Sequence, residues 1–179
     1  MPVSTRRTLR GALAGACAAG LWAAQQPLDR RAFGVDYDDC ALLGSAVTRG
    51  RAAYPLGVAI HLANGAAFGA LYSLAAPVLP GPSVARGVLA GVTEHLATWP
   101  ATRFVDALHP AGDRFPQLWG DHRAFAQALW RHVLFGATLG VLERRLNPPP
   151  EEPAPVDAPA ASTNGHGSAE RIVVAGRTA

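Results

Sequence analysis

The sequence predicts an all-α fold, an integral membrane four-helix bundle with a disordered C-terminal tail. Three observations predict it. Hydrophobic residues make up 49% of the 179 and charged residues only 16%, below the ~25% charged share of an ordinary soluble chain. Four long apolar stretches alternate with gaps rich in Pro, Gly and charge. One of them, residues 54–76, holds no charged residue, whereas a soluble bundle would show charge at helical spacing on its exposed faces.

The first stretch, "LRGALAGACAAGLWAA" from Leu9 to Ala24, is short for a bilayer core of ~30 Å, which asks for about 20 residues. Extended to Pro27 it gives a span near 9–27. Its opening "TRRTL" resembles a twin-arginine export signal, with Ala16-Cys17-Ala18 as a small-residue cleavage site. The residues after the arginines lack the spacing of a strong export motif, and three more membrane-like stretches follow. A retained helix anchored by Arg6, Arg7 and Arg10 is therefore expected.

The remaining spans are expected near 54–77, 84–105 and 124–143. The third is interrupted by Glu94, His95 and Pro100, and the fourth contains Arg131 and His132. Each stretch repeats small residues four apart: Gly11 and Gly15, Gly65 and Gly69, Gly87 and Gly91, Gly136 and Gly140. This spacing lets helix backbones approach closely in lipid, where packing drives association. One pair would mean little in so Gly-rich a chain; one pair per stretch predicts a compact bundle.

The four-span domain covers 1–146. From Asn147 five prolines fall in nine positions and large apolar residues nearly vanish. Such a segment cannot bury enough surface to offset its ordering entropy, so 147–179 is expected to be disordered. Four spans put both termini on one side. Arg6, Arg7, Arg10, Arg144 and Arg145 place that side in the cytoplasm of an inner membrane, against a competing set of loop arginines (Arg30, Arg31, Arg49, Arg51, Arg103, Arg114, Arg123).

The polar residues inside the spans are the candidate site. At 1.5 Å per residue, His61 lies about 10 Å and Asn64 about 15 Å into the second span, Glu94 about 15 Å into the third with His95 beside it, and His132 about 10 Å into the fourth. Three histidines and a glutamate from three helices thus reach similar depths. A charge at bilayer centre costs roughly 2.5–3.5 kcal/mol on insertion scales and normally faces the bundle interior with a partner. In the structural reading, Glu94 pairs with Arg131 while His61 and Asn64 tie helices together by hydrogen bonds. In the functional reading, His61, Glu94, His95 and His132 form a proton-handling or metal-binding cluster. Tight ligand spacing such as H-x-x-x-H is absent, which favours the structural reading, and no metal or cofactor is expected.

Other features carry less. "DYDD" (36–39) lacks the glycine and closing glutamate of a calcium loop and reads as solvated. "GALAGACAAG" (11–20) lacks the strand and the downstream acid of a dinucleotide fingerprint. His109, Asp113, Asp121 and His122 fall in a polar loop, and Trp99, Trp119 and Trp130 suit interfacial anchoring. Cys17 and Cys40 form no disulfide framework. All sixteen basic residues are Arg, and at a net +3 they are scattered, so nucleic acid is excluded as a partner. No nucleophile–base constellation appears, and an enzyme is not expected.

Residues 57–146 resemble the YagU-like inner-membrane proteins of bacteria. The likeness lies in His61, Phe68-Gly69, Tyr72, Pro80, "GVLAG" (87–91), His95, Pro100, "HP" (109–110), "HVLFG" (132–136) and "ERR" (143–145). The loop 29–53 departs from that pattern. The resemblance implies a four-helix integral membrane protein and carries over no catalytic residue. The function expected first is a non-enzymatic accessory or envelope-stress component whose partner is the lipid bilayer. The second is a small transporter or proton-conducting unit, a homo-oligomer because four helices leave little room for a pore. A membrane-embedded metalloenzyme is the third.

Overall fold

The computed structural model describes residues 4–149. The tail expected from 147 therefore lies almost wholly outside the described residues. Within them the chain is all-helical, with no strand. The helices are α1 (Thr5–Phe33), α2 (Asp39–Val47), α3 (Ala53–Ala75), α4 (Ser83–Thr98), α5 (Thr102–Leu108) and α6 (His122–Leu146).

Local chemistry sets their ends. Ser4 caps α1 by accepting from the Arg7 amide, and Gly34, at φ 67°, closes it in the left-handed conformation that glycine adopts without a Cβ penalty. Asp38 and Asp121 cap α2 and α6 by accepting from the Ala41 amide and from the Arg123 and Ala124 amides. The span expected over 84–105 is broken. Pro100 has no N–H to continue the ladder, so α4 ends at Thr98, a single 3-10 turn covers Trp99–Ala101, and α5 restarts at Thr102. Helix α1 instead runs straight through Pro27 to Phe33, six residues past the expected end.

Glycines set the packing. α1 lies antiparallel to α3, with Gly11 and Gly15 against Gly69 and Gly65. α4 lies antiparallel to α6, with Gly87 against Gly136, Gly91 against the His132 backbone, and Gly140 against the Ser83 backbone. A Cβ on any of these eight glycines would come within 3.0 Å of backbone on the facing helix. All eight residues expected to pack helices therefore do so. The two pairs join where α1 meets α6, giving the row α3–α1–α6–α4. That third seam is polar: Arg7 pairs with Glu143 at one end, and Arg131 with Asp29 at the other. A close contact absent from the expectation, Gly44 of α2 against Gly57 of α3, folds α2 back onto the bundle. The loop expected over 29–53 is thus largely helix.

Paired charges and polar side chains lie inside the bundle beside its apolar core, and several leucines stand on its outer face. The largest fully buried side chains include Arg131, His95, Gln26 and Gln127, and the apolar core is dominated by Ala14, Ala18 and Ala19 with Trp22, Tyr72, Phe135 and Leu139. Leu9, Leu71 and Leu89 stand 66%, 68% and 61% exposed. Of four expected spans, α3 alone among the described residues is long and apolar enough by itself to cross a membrane. α4 has only 16 residues, while α1 and α6 carry the buried charges of the polar seam.

Candidate functional site

The three histidines lie in register with the glycine stripes. On α3 the series is Gly57, His61, Gly65, Gly69; on α4, Gly87, Gly91, His95; on α6, His132, Gly136, Gly140. Each imidazole continues a close-packed face by one further step of four residues. The three histidines line a cavity of about 270 Å³ among the helices. That is room for on the order of nine water molecules at ~30 Å³ each. His61, Glu94, His95 and His132 all line it, together with Trp22, Tyr37 and Asp39, and the exposed Asn64 sits at its rim.

Glu94 pairs with His132, Oε2 to Nε2 at 2.6 Å. The other nitrogen of that ring, Nδ1, lies 2.7 Å from the Ala128 carbonyl. A carbonyl only accepts, so Nδ1 carries a hydrogen, and one further proton is shared between Nε2 and the carboxyl. The pair is a proton site whichever of the two atoms holds it. His95 lies tilted against His132 with ring centroids 4.8 Å apart, and Trp22 lies edge-on to both His61 and His132 at 5.2 and 4.6 Å. Nε2 of His61 and Nε2 of His95 are buried and have no hydrogen-bond partner.

The expected pair of Glu94 with Arg131 does not form. Arg131 is fully buried and does not line the cavity. Its Nε and Nη2 donate to the two oxygens of Asp29 at 2.7 and 2.6 Å, and its Nη1 to Asp39 at 2.6 Å. Asp29 and Asp39 were read as loop residues because the first span was expected to end at Pro27. With α1 running to Phe33 and α2 folded back, both carboxylates reach the guanidinium, and a buried charge takes the partners that geometry offers. Of "DYDD", Asp36 is solvated as expected, while Tyr37, Asp38 and Asp39 are drawn into the fold. Asp38 caps α2, and Asp39 also accepts from Trp22 Nε1 at 2.8 Å and from the Tyr37 hydroxyl at 2.5 Å. Burial, reinforced by Asp39, pushes the Tyr37 phenol well above its ordinary value, so it serves as a neutral donor. This network forms the cavity's floor at the α2 end.

Among the described residues no group of three or more His, Cys, Asp or Glu is arranged to hold a metal ion. The loop candidates have separate tasks. His109 bridges the Leu42 carbonyl and the Ala111 amide, and Asp121 caps α6. No family model, no curated protein and no solved structure gives a match to this chain.

Proposed function

We propose that the chain is a multi-pass helical protein of the inner membrane, and that its cavity is the proton-carrying site of a small transporter or conducting unit. The single observation that carries the reading is the convergence of His61, Glu94, His95 and His132 on one cavity, with a proton shared on Glu94 and His132. An accessory protein that works by packing alone has no need of such a space, because an interior lined by unpartnered imidazoles costs stability. Placement in a bilayer is supported by the inverted distribution of side chains: charges paired inside and leucines outside suit a solvent in which every internal charge needs a partner. The residues behind the resemblance to YagU-like proteins include the three histidines and several seam glycines, which brings that kinship into the same proposal.

Reconstitution tests it. In proteoliposomes under an imposed pH gradient, the wild-type chain should move protons. Glu94→Gln should lower that flux roughly a hundredfold, the low end of what a positioned proton-transfer group contributes. Wild-type flux equal to that of protein-free vesicles would return the chain to an accessory role.

A further inference from the structure

We infer that the cavity takes a lipophilic amine, a molecule with an apolar body and a protonatable nitrogen, and that the amine reaches it sideways between α3 and α4. The inference rests on the reading of the cavity as a functional site and names its ligand.

Helices α3 and α4 make no packed seam with each other. Between them runs an apolar groove of about 400 Å³, lined by Leu79, Leu89, Ala90 and Ala97. The groove and the cavity share two residues, Phe68 and Glu94. Phe68 is braced edge-on against Phe135, with centroids 5.4 Å apart. The Glu94 side chain is 38% exposed, so its carboxyl can be approached from the groove while it holds the proton shared with His132. An alkyl or aryl body therefore has an apolar bed that leads to a carboxylate.

The charge around that carboxylate selects the sign of the ligand. The cavity around it is lined by Tyr37 and Asp39 from the 34–39 segment, His61 from α3, His95 from α4 and its own partner His132 from α6. No arginine lines the cavity. The one guanidinium in the groove, Arg86, lies two turns away and donates to the Ala76 and Leu79 carbonyls. The rings of Trp22 and Trp99 add faces that attract a cation. A carboxylate ligand would meet Glu94 and Asp39 instead.

The proton balance follows. Before binding, Glu94 and His132 together hold one proton beyond the imidazole's own Nδ1–H. An ammonium that seats on the carboxylate leaves His132 neutral, and that one proton departs to solvent. One positive charge enters and one leaves.

Octylamine, octanol and octanoate separate the ligand classes, with the protein in nanodiscs and the tryptophan fluorescence of Trp22 and Trp99 as the readout. Octylamine should bind saturably and release a proton detectable with an indicator in weak buffer. Glu94→Gln should weaken it by about tenfold or more, the scale of one charge-assisted hydrogen bond. Ala97→Phe, at an exposed groove position that leaves Glu94 in place, should weaken it as well and keeps the test decisive if the Gln variant fails to fold. Octanol binding as tightly as the amine, or amine binding indifferent to both substitutions, would reduce the groove to a lipid-chain cleft and overturn the inference. So would proton flux that depends on Glu94 with no amine binding, and that outcome would leave the proposed function standing.

Discussion

At the scale of the residue, the interior is held by charges that depend on one another. Arg131 neutralises Asp29 and Asp39, and Gln127 and Gln25 complete the shell around Asp29. Removing one member of a buried ionic group strands the others, typically at about 3–5 kcal/mol. Arg131→Leu should therefore lose most of its folded, detergent-soluble protein by size-exclusion chromatography. Adding Asp29→Leu should restore part of the loss, whereas adding Glu94→Leu should restore none, since Glu94 belongs to His132. Cys40 gives a second reading of the same region. Burial first, then Asp38 and Asp39, push its thiol from 9.0 up to about 11. A thiol raised on folding contributes stability that is complete below pH 9 and is lost as pH climbs toward 11. Alkylation of Cys40 in native Cys17→Ala protein should accordingly stay slow through pH 9, and Cys40→Ala should flatten the alkaline fall in melting temperature. The common depth of the three histidines was legible in the sequence from helix rise alone. The partner of Glu94 was not, because assigning it required knowing that α1 continues past Pro27.

At the scale of the element, two kinds of glycine share α1. Gly15 sits in the α3 seam, where a Cβ would collide with backbone, while a Cβ on Gly20 would meet nothing nearer than Leu62 at 3.8 Å. Gly15→Ala should destabilise by about 1–3 kcal/mol, the usual cost of overpacking a closed contact. Gly20→Ala should be neutral or gain up to about 1 kcal/mol from reduced backbone entropy. Thermal unfolding of the two variants side by side checks both signs. The seam glycines were legible because their spacing of four is the geometry of contact itself. Helix α2 was not. Nine residues cannot span a bilayer and begin in an acidic run, and the one hint, Gly44, pairs with a glycine thirteen positions on that only the fold brings beside it. The break at Pro100 was visible as a residue but not as an end, since a proline inside α1 ends nothing.

At the scale of the molecule, the fold buries a small set of paired charges within an apolar core. Its centre holds Arg131, Asp29, Gln127 and His95 beside Trp22, Phe135 and Leu139, its seams are Gly and Ala, and Leu9, Leu13, Leu71, Leu89 and Leu96 face outward. Under the proposed bilayer placement, the exposed leucines would meet lipid and the internal charges would be satisfied by one another. The outer face of the bundle is a lipid face under the proposed membrane placement, and Cys17 reports on it directly. Its side chain stands exposed on α1, twelve residues from the helix start, or about 18 Å along the axis. In intact membranes, with Cys40→Ala as background, a charged and membrane-impermeant maleimide should leave Cys17 unlabelled until the sample is dissolved in SDS, while Gly120→Cys in the loop before α6 labels at once. Labelling of native Cys17 at the rate of that loop position would put α1 in water and contradict the account.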